Sequence, residues 1–203
     1  MTSIITGDIV NSRKLPSNIW IDGLKKLFNT KGENPIEWEI YRGDEFQLEI
    51  KNVEEALLAA LEIKAYLKGI KLDARMSIGI GDKTYQANKI SESNGTAFVR
   101  SGELFDTLKK QKTTLAINSD NPDIDSDINL MLRLGLTFMD NWLVQSAEFV
   151  LTAIQNKGLL QEEIGVKLGI NQAAVSRRRK RAQFDLMMEL DNYFRKKIKT
   201  ITI

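Results

Sequence analysis

The chain has 203 residues, 42% of them hydrophobic, which is enough to bury a core in one large domain or two small ones and too apolar for a disordered chain. It contains neither cysteine nor histidine, so disulfides, thiol nucleophiles, Ser-His-Asp and Cys-His triads, and thiolate or imidazole metal sites are all excluded. The formal charge of +2 hides a split: residues 1–127 carry 17 Lys and Arg against 20 Asp and Glu, while residues 128–203 carry 12 against 7, so two modules are expected, the basic one facing a polyanion.

Taken in chain order, Ser3 to Val10 (SIITGDIV) is apolar and β-branched and predicts a buried strand, with Asp8 near its end. The spacing predicts a helix over 17–29, SNIWIDGLKKLFN. IEWEIY and EFQLEI each alternate, and the residues between them include Gly43, which can take positive φ; together they predict a hairpin. Val53 to Leu67 is rich in Ala, Leu and Glu, with Gly69 past its end as a C-cap. A strand over ARMSIGIG, a helix near VRSGELFDTLKK and a last strand at TTLAI follow. The first six elements match the β-α-β-β-α-β ferredoxin-like plan, which sets the first strand beside the hairpin and makes Asp8 and Asp44 neighbours. The stretch NSDNPDIDSD at 118–127 is polar, contains Pro122 and has no periodicity, so residues 1–120 are expected as an α/β (α+β) domain, 121–127 as a linker and 128–203 as an all-α domain.

Without His or Cys, chemistry falls to carboxylates, Lys, Tyr or an oxygen-ligated cation. Asp44 and Glu45 sit together in the aromatic, strand-like run YRGDEFQ, where charge must be met by water, a cation or a partner. Mg²⁺ is often held by one or two carboxylates, with waters and substrate phosphates completing its shell, and an Asp at a strand end beside an Asp on a hairpin meets that need. Either acid could instead be an ordinary turn or cap residue. GIGDKT is not a phosphate loop of the Walker type, because Lys83 follows Asp82 instead of glycine.

GDIVNSR, RGDEF and ARMSIGIG, followed by SNGTAFVRSGELFD, resemble the palm core of class III nucleotidyl cyclases and diguanylate cyclases. The order GDIVNSR, RGDEFQ, R-x-SIGIG and G-x-AF resembles the SatD family over most of residues 1–117. The resemblance implies that Asp8, the Ile9 carbonyl and Asp44, with Glu45 as a further candidate, hold Mg²⁺ against a nucleotide, and that Asn11, Ser12, Arg13 and Arg42 approach its phosphates. It also marks departures. Val99 and Glu103 stand where the cyclases carry an Asn and an Arg, and Ile40 stands where a purine-reading Lys is expected. A binding site that has lost its transition-state groups is therefore the expectation, with no catalytic residue assigned and Arg100 as the one candidate substitute.

In the basic half, LQEEIGVKLGINQAAVSRRRKRA at 160–182 predicts a helix over Gln161–Leu168, a turn at 169–171 and a helix over Gln172–Ala182. This is the helix-turn-helix pattern, and the stretch resembles the bacterial repressor and sigma-factor type in Q-E-E-I-G, L-G-I and Q-x-x-V-S-x-R. Ile164, Leu168, Ile170 and Val175 are spaced to form its small core. Gln172, Ala173, Ser176 and Arg177 are left to face double-stranded DNA, with Arg178, Arg179, Lys180 and Arg181 as phosphate contacts. Helices near 128–157 and 184–199 would pack this module or form a homodimer. The leading expectation is a DNA-binding transcriptional regulator that senses a nucleotide or phosphorylated ligand with Mg²⁺. The alternatives are a metal-dependent nucleotidyltransferase or cyclase tethered to DNA, and a partner-binding scaffold with a vestigial metal site. No apolar run approaches the roughly 20 residues of a membrane span, and MTSIITGDIVNSR has neither a leading basic region nor a small-residue cleavage site. A cytoplasmic chain with no membrane partner is expected.

Overall fold

A computed structural model describes residues 1–201. The β-branched run Thr2–Val10 forms strand β1 and is buried along most of its length, as a strand covered on both faces must be. Ser17–Asn29 forms helix α1, which buries Trp20, Leu24, Leu27 and Phe28 at helical spacing. The hairpin follows as β2 (Trp38–Tyr41) and β3 (Glu45–Ile50). Then come α2 (Ala56–Gly69), β4 (Asp73–Gly81), α3 (Thr96–Gln111) and β5 (Leu115–Asn118). Gly69 ends α2 from inside, and the positive φ falls on Lys71.

The strands make one mixed sheet in the order β2-β3-β1-β4-β5. β1 lies antiparallel between β3 and β4, and β5 runs parallel to β4. Successive residues of β1 serve different layers. Ile5 and Ile9 join the large cluster with Trp20, Leu24 and the apolar side of α2, in which Phe28 meets Trp38 and Phe46 at centroid distances of 5.5 and 5.2 Å. Ile4 joins Ile90, Ala97 and Phe98 of the α3 side, where Thr6 Oγ1 also donates to Ser101 Oγ at 3.0 Å.

The remainder is helical: α4 (Pro122–Met139), α5 (Val144–Gln155), α6 (Gln161–Leu168), α7 (Gln172–Ala182) and α8 (Phe184–Lys199). The fold class is thus mixed α+β. Residues 121–127, expected as a linker, are the start of α4. The Asn121 side chain accepts from the Ile124 N–H at 3.1 Å, Pro122 occupies the first turn, and Asp123 and Asp125 lie beside the helix N-terminus, so the polar, proline-bearing stretch is a helix-start signal. Residues 202 and 203 of the expected C-terminal domain lie outside the described residues.

The sheet and the helices share one hydrophobic cluster, from Ile5 through Leu57 and Phe149 to Ile198, and α2 packs on α5. Polar ties cross the same boundary. Arg195 of α8 donates to both Glu55 oxygens at 2.5 and 3.0 Å, and Gln155 donates to Glu62 at 2.9 Å. Lys64 is fully buried between Asp73 (2.8 Å) and Asp140 (2.6 Å). Among the described residues, no helix is long and apolar enough to cross a membrane.

Candidate functional site

The sheet register delivers the acids to one end of the sheet. Asp8 pairs with Glu45 of β3 on one side and Arg75 of β4 on the other. The Asp44 carbonyl accepts the Ile9 N–H at 3.1 Å, which ties the hairpin tip to the end of β1. The tip takes its bend through Arg42 (φ 49) and Gly43 (φ 91), the second being the position where glycine carries no steric cost. Asp8, Asp44 and Glu45 thus stand together, near enough that the charges of Asp44 and Glu45 disfavour ionisation of Asp8.

Three cations answer them. Arg75 Nη1 donates to Asp8 Oδ2 at 3.2 Å, Lys109 of α3 donates to Glu45 at 3.2 Å, and Arg42 lies 3.8 Å from Glu45. Burial is nevertheless the strongest influence on Asp8 and holds its pKa above the ordinary carboxylate value, with Arg75 and then Lys109 pulling the other way. Tyr41, beside Glu45, is pushed up to about 12, chiefly by burial. Ser12 Oγ donates to Asp44 Oδ2 at 2.5 Å, and Asn11 takes a left-handed conformation (φ 63) that turns the chain after β1. Arg13 is exposed beside them with no partner among the described residues.

No group of three or more carboxylates among the described residues is arranged to hold a metal ion unaided. The donors present do fit a cation that brings ligands of its own. Asp8 Oδ1 is buried with no hydrogen-bond partner, an acceptor left open next to Asp44. A divalent ion there would be held by Asp8 and Asp44, would take remaining ligands from water and phosphate, and would supply charge against a polyanion.

Arg75 and Lys109 were not legible as site residues. The first reads as one polar position in an apolar strand and the second as one of two lysines ending a helix. The register pairing of Asp8 with Arg75 is the signal that identifies the former. Arg100, the candidate substitute cation, is engaged elsewhere: it donates to the Ile80 carbonyl at 2.6 Å and to Asp120 at 2.6 Å. Ile80 pairs with Ser3, five residues along β1 from Asp8, a separation of roughly 16 Å at strand rise. Val99 and Glu103 are exposed on α3, whereas the lysine that reaches the acids comes from the last turn of that helix.

In the helical part, α6 and α7 are joined by three residues. Gly169 takes φ 65, Ile170 N–H returns to the Gly165 carbonyl at 2.9 Å, and Asn171 caps α7 by accepting from the Ala174 N–H at 2.9 Å. Gly165 is needed for closeness, since a Cβ there would stand 2.7 Å from the Ile170 carbonyl oxygen. Ile164 and Val175 are buried, while Leu168 and Ile170 are partly buried against the cluster.

The basic run of α7 divides by helical phase. Val175 and Ala182 face inward, and Arg178 and Arg179 flank that buried line: Arg178 bridges Glu148 of α5 at 3.1 Å, and Arg179 pairs with Asp185 at 2.5 Å while lying over the Phe184 ring. Gln172, Ala173, Ser176, Arg177, Lys180 and Arg181 are exposed, and Arg177, Lys180 and Arg181 have no ion-pair partner among the described residues. Searches of protein-family models, curated proteins and solved structures give no match to this chain.

Proposed function

We propose that the chain is a DNA-binding transcriptional regulator. In this reading residues 1–120 form a ferredoxin-like palm that binds a nucleotide or phosphorylated ligand with Mg²⁺, and α6 and α7 form a helix-turn-helix. The observation that carries it is the exposed arc of α7: Ala173, Ser176, Arg177, Lys180 and Arg181 lie opposite Val175 and Ala182. Phosphate neutralisation needs free cations on an accessible helix face, and base reading needs small or hydrogen-bonding side chains near that helix's N-terminus. The likeness of the N-terminal motifs to the SatD family supports the palm half of the reading, and so does the open Asp8 acceptor beside Asp44. Arg13 and the cations around Glu45 are placed for phosphates.

A second reading is a metal-dependent nucleotidyltransferase tethered to DNA. It is favoured by Lys109, which brings a cation from α3 to the acid cluster although Val99 and Glu103 occupy the positions of the cyclase groups. Titration of labelled duplex DNA against salt, with and without Mg²⁺ and nucleoside triphosphates, tests the first reading. Binding that weakens steeply with salt and responds to nucleotide is expected. No duplex binding at low salt overturns it, and Mg²⁺-dependent release of pyrophosphate selects the second.

A further inference from the structure

We infer that the groove between α4 and α8 is the docking face for a second copy of this chain. The groove encloses about 550 Å³ and is lined by Met131, Leu134, Gly135, Phe138, Leu186 and Leu190, with mostly carbon on its walls. Beneath it the two helices already satisfy the core through Leu132, Leu136, Met187 and Phe194. A helix packed on one side presents polar residues on the other. Here the outward side is apolar as well, with Leu134 63% exposed and Leu130 and Leu186 each 51% exposed. A contiguous apolar patch of this kind on a folded chain marks an interface.

Shape and charge together select a copy of the same chain as the occupant. A two-fold contact uses one patch twice, so the patch must carry both the projection and the recess that receives it. Leu130 and Leu134 supply the projection along the α4 lip, and the recess floored by Gly135 and Leu190 lies beside them. The flanking charges are reciprocal. Arg133 adjoins Leu134 on α4 and Glu189 adjoins Leu190 on α8; both are exposed, and neither has a partner among the described residues. The other nearby charges are already matched, Asp127 with Lys197 at 3.0 Å. Under two-fold symmetry, Arg133 of one copy meets Glu189 of its partner, and the reverse contact forms at the same time. That pairing offsets the repulsion between two helical parts that each carry an excess of five positive charges over residues 128–203. An acidic or basic partner of another kind would leave one of the two charges unanswered.

The inference stands without the DNA reading and is tested in its absence. Sedimentation velocity of the full chain at micromolar concentration should give a dimer. Leu134→Glu, at an exposed position, should give a monomer with unchanged helix content. Arg133→Glu alone and Glu189→Arg alone should each weaken dimerisation at least about tenfold by placing like charges across the contact, and the two together should restore it. A wild type that stays monomeric to high concentration overturns the proposal. So does a dimer indifferent to Leu134→Glu and to both charge reversals, and so does failure of the double reversal to recover the loss from the single ones.

Discussion

The acids at the end of β1 show how much a single side chain's surroundings decide. Asp8 is held with one oxygen on Arg75 and the other without a partner, and burial opposes its charge more strongly than Arg75 supports it. Replacing it with Asn keeps the shape and an acceptor for Arg75 while removing the disfavoured charge. Asp8→Asn should therefore melt no lower than the wild type at neutral pH, and it should lose Mg²⁺-dependent nucleotide affinity by at least about tenfold. Asp44→Asn should lose affinity equally, because Ser12 fixes the carboxylate that the ion needs. Calorimetric titration checks both, and retained affinity in the two variants would make these acids ordinary turn residues. The acids were legible because charge inside an apolar run is conspicuous. Arg75 and Lys109 were not, because a cation's role depends on which strand or helix the fold sets opposite it.

At the scale of elements, local signals located nearly every strand and helix, and the errors came where one signal has two meanings. Asn121-Pro122 followed by acids reads as a loop by composition but serves as a cap, a first turn and a dipole complement once α4 has a core to pack on. The same ambiguity affects α7, whose run Arg177 to Arg181 reads as one basic patch until helical phase divides it. The division predicts a contrast between two sets of variants. Arg177→Ala, Lys180→Ala and Arg181→Ala combined should reduce the slope of log affinity for duplex DNA against log salt by about 3, one for each phosphate left without its cation. Arg178→Ala with Arg179→Ala should leave most of that slope intact and instead lower the melting temperature, since their partners are Glu148 and Asp185 of the same chain. Equal slopes in the two sets would remove the phase argument.

The whole molecule is tied together by charges that composition does not reveal. Asp191 of α8 is almost fully buried and bonds Arg195 at 2.6 Å, and Arg195 in turn reaches Glu55 before α2. Burial raises the pKa of Asp191 above its ordinary 3.8, against the opposite influence of Arg195. A carboxyl raised on folding adds stability that is fully present below its unfolded pKa and is lost as pH rises through the folded value. Asp191→Asn should therefore be at least as stable as the wild type at neutral pH, with the two converging as pH falls towards 4, a comparison made by urea denaturation at several pH values. A variant that is less stable at neutral pH would show that the bond to Arg195 outweighs burial.

Lys64 makes the stronger test of unity, because it lies in what reads as a plain Ala- and Leu-rich helix. It is fully buried, bonded to Asp73 of β4, to Asp140 after α4 and to Thr114 before β5, so one ammonium group links sheet and helices. Lys64→Met keeps the apolar stem and leaves two carboxylates facing each other without their cation. Breaking a buried pair from one side costs about 3–5 kcal/mol; with Asp140 36% exposed and able to rehydrate, the lower end, about 3 kcal/mol, is expected. If the shared cluster makes the chain one cooperative unit, that loss should appear equally in both parts. Hydrogen exchange followed by peptide mass analysis separates α1 and β2, which hold Trp20 and Trp38, from the segment around Trp142, whose indole donates to the Ala182 carbonyl at 2.9 Å. Equal loss of protection in both regions is the expected outcome. Loss confined to one of them would mean that the sheet and the helices unfold separately, and that a ligand at Asp8 has no shared core through which to act on α7.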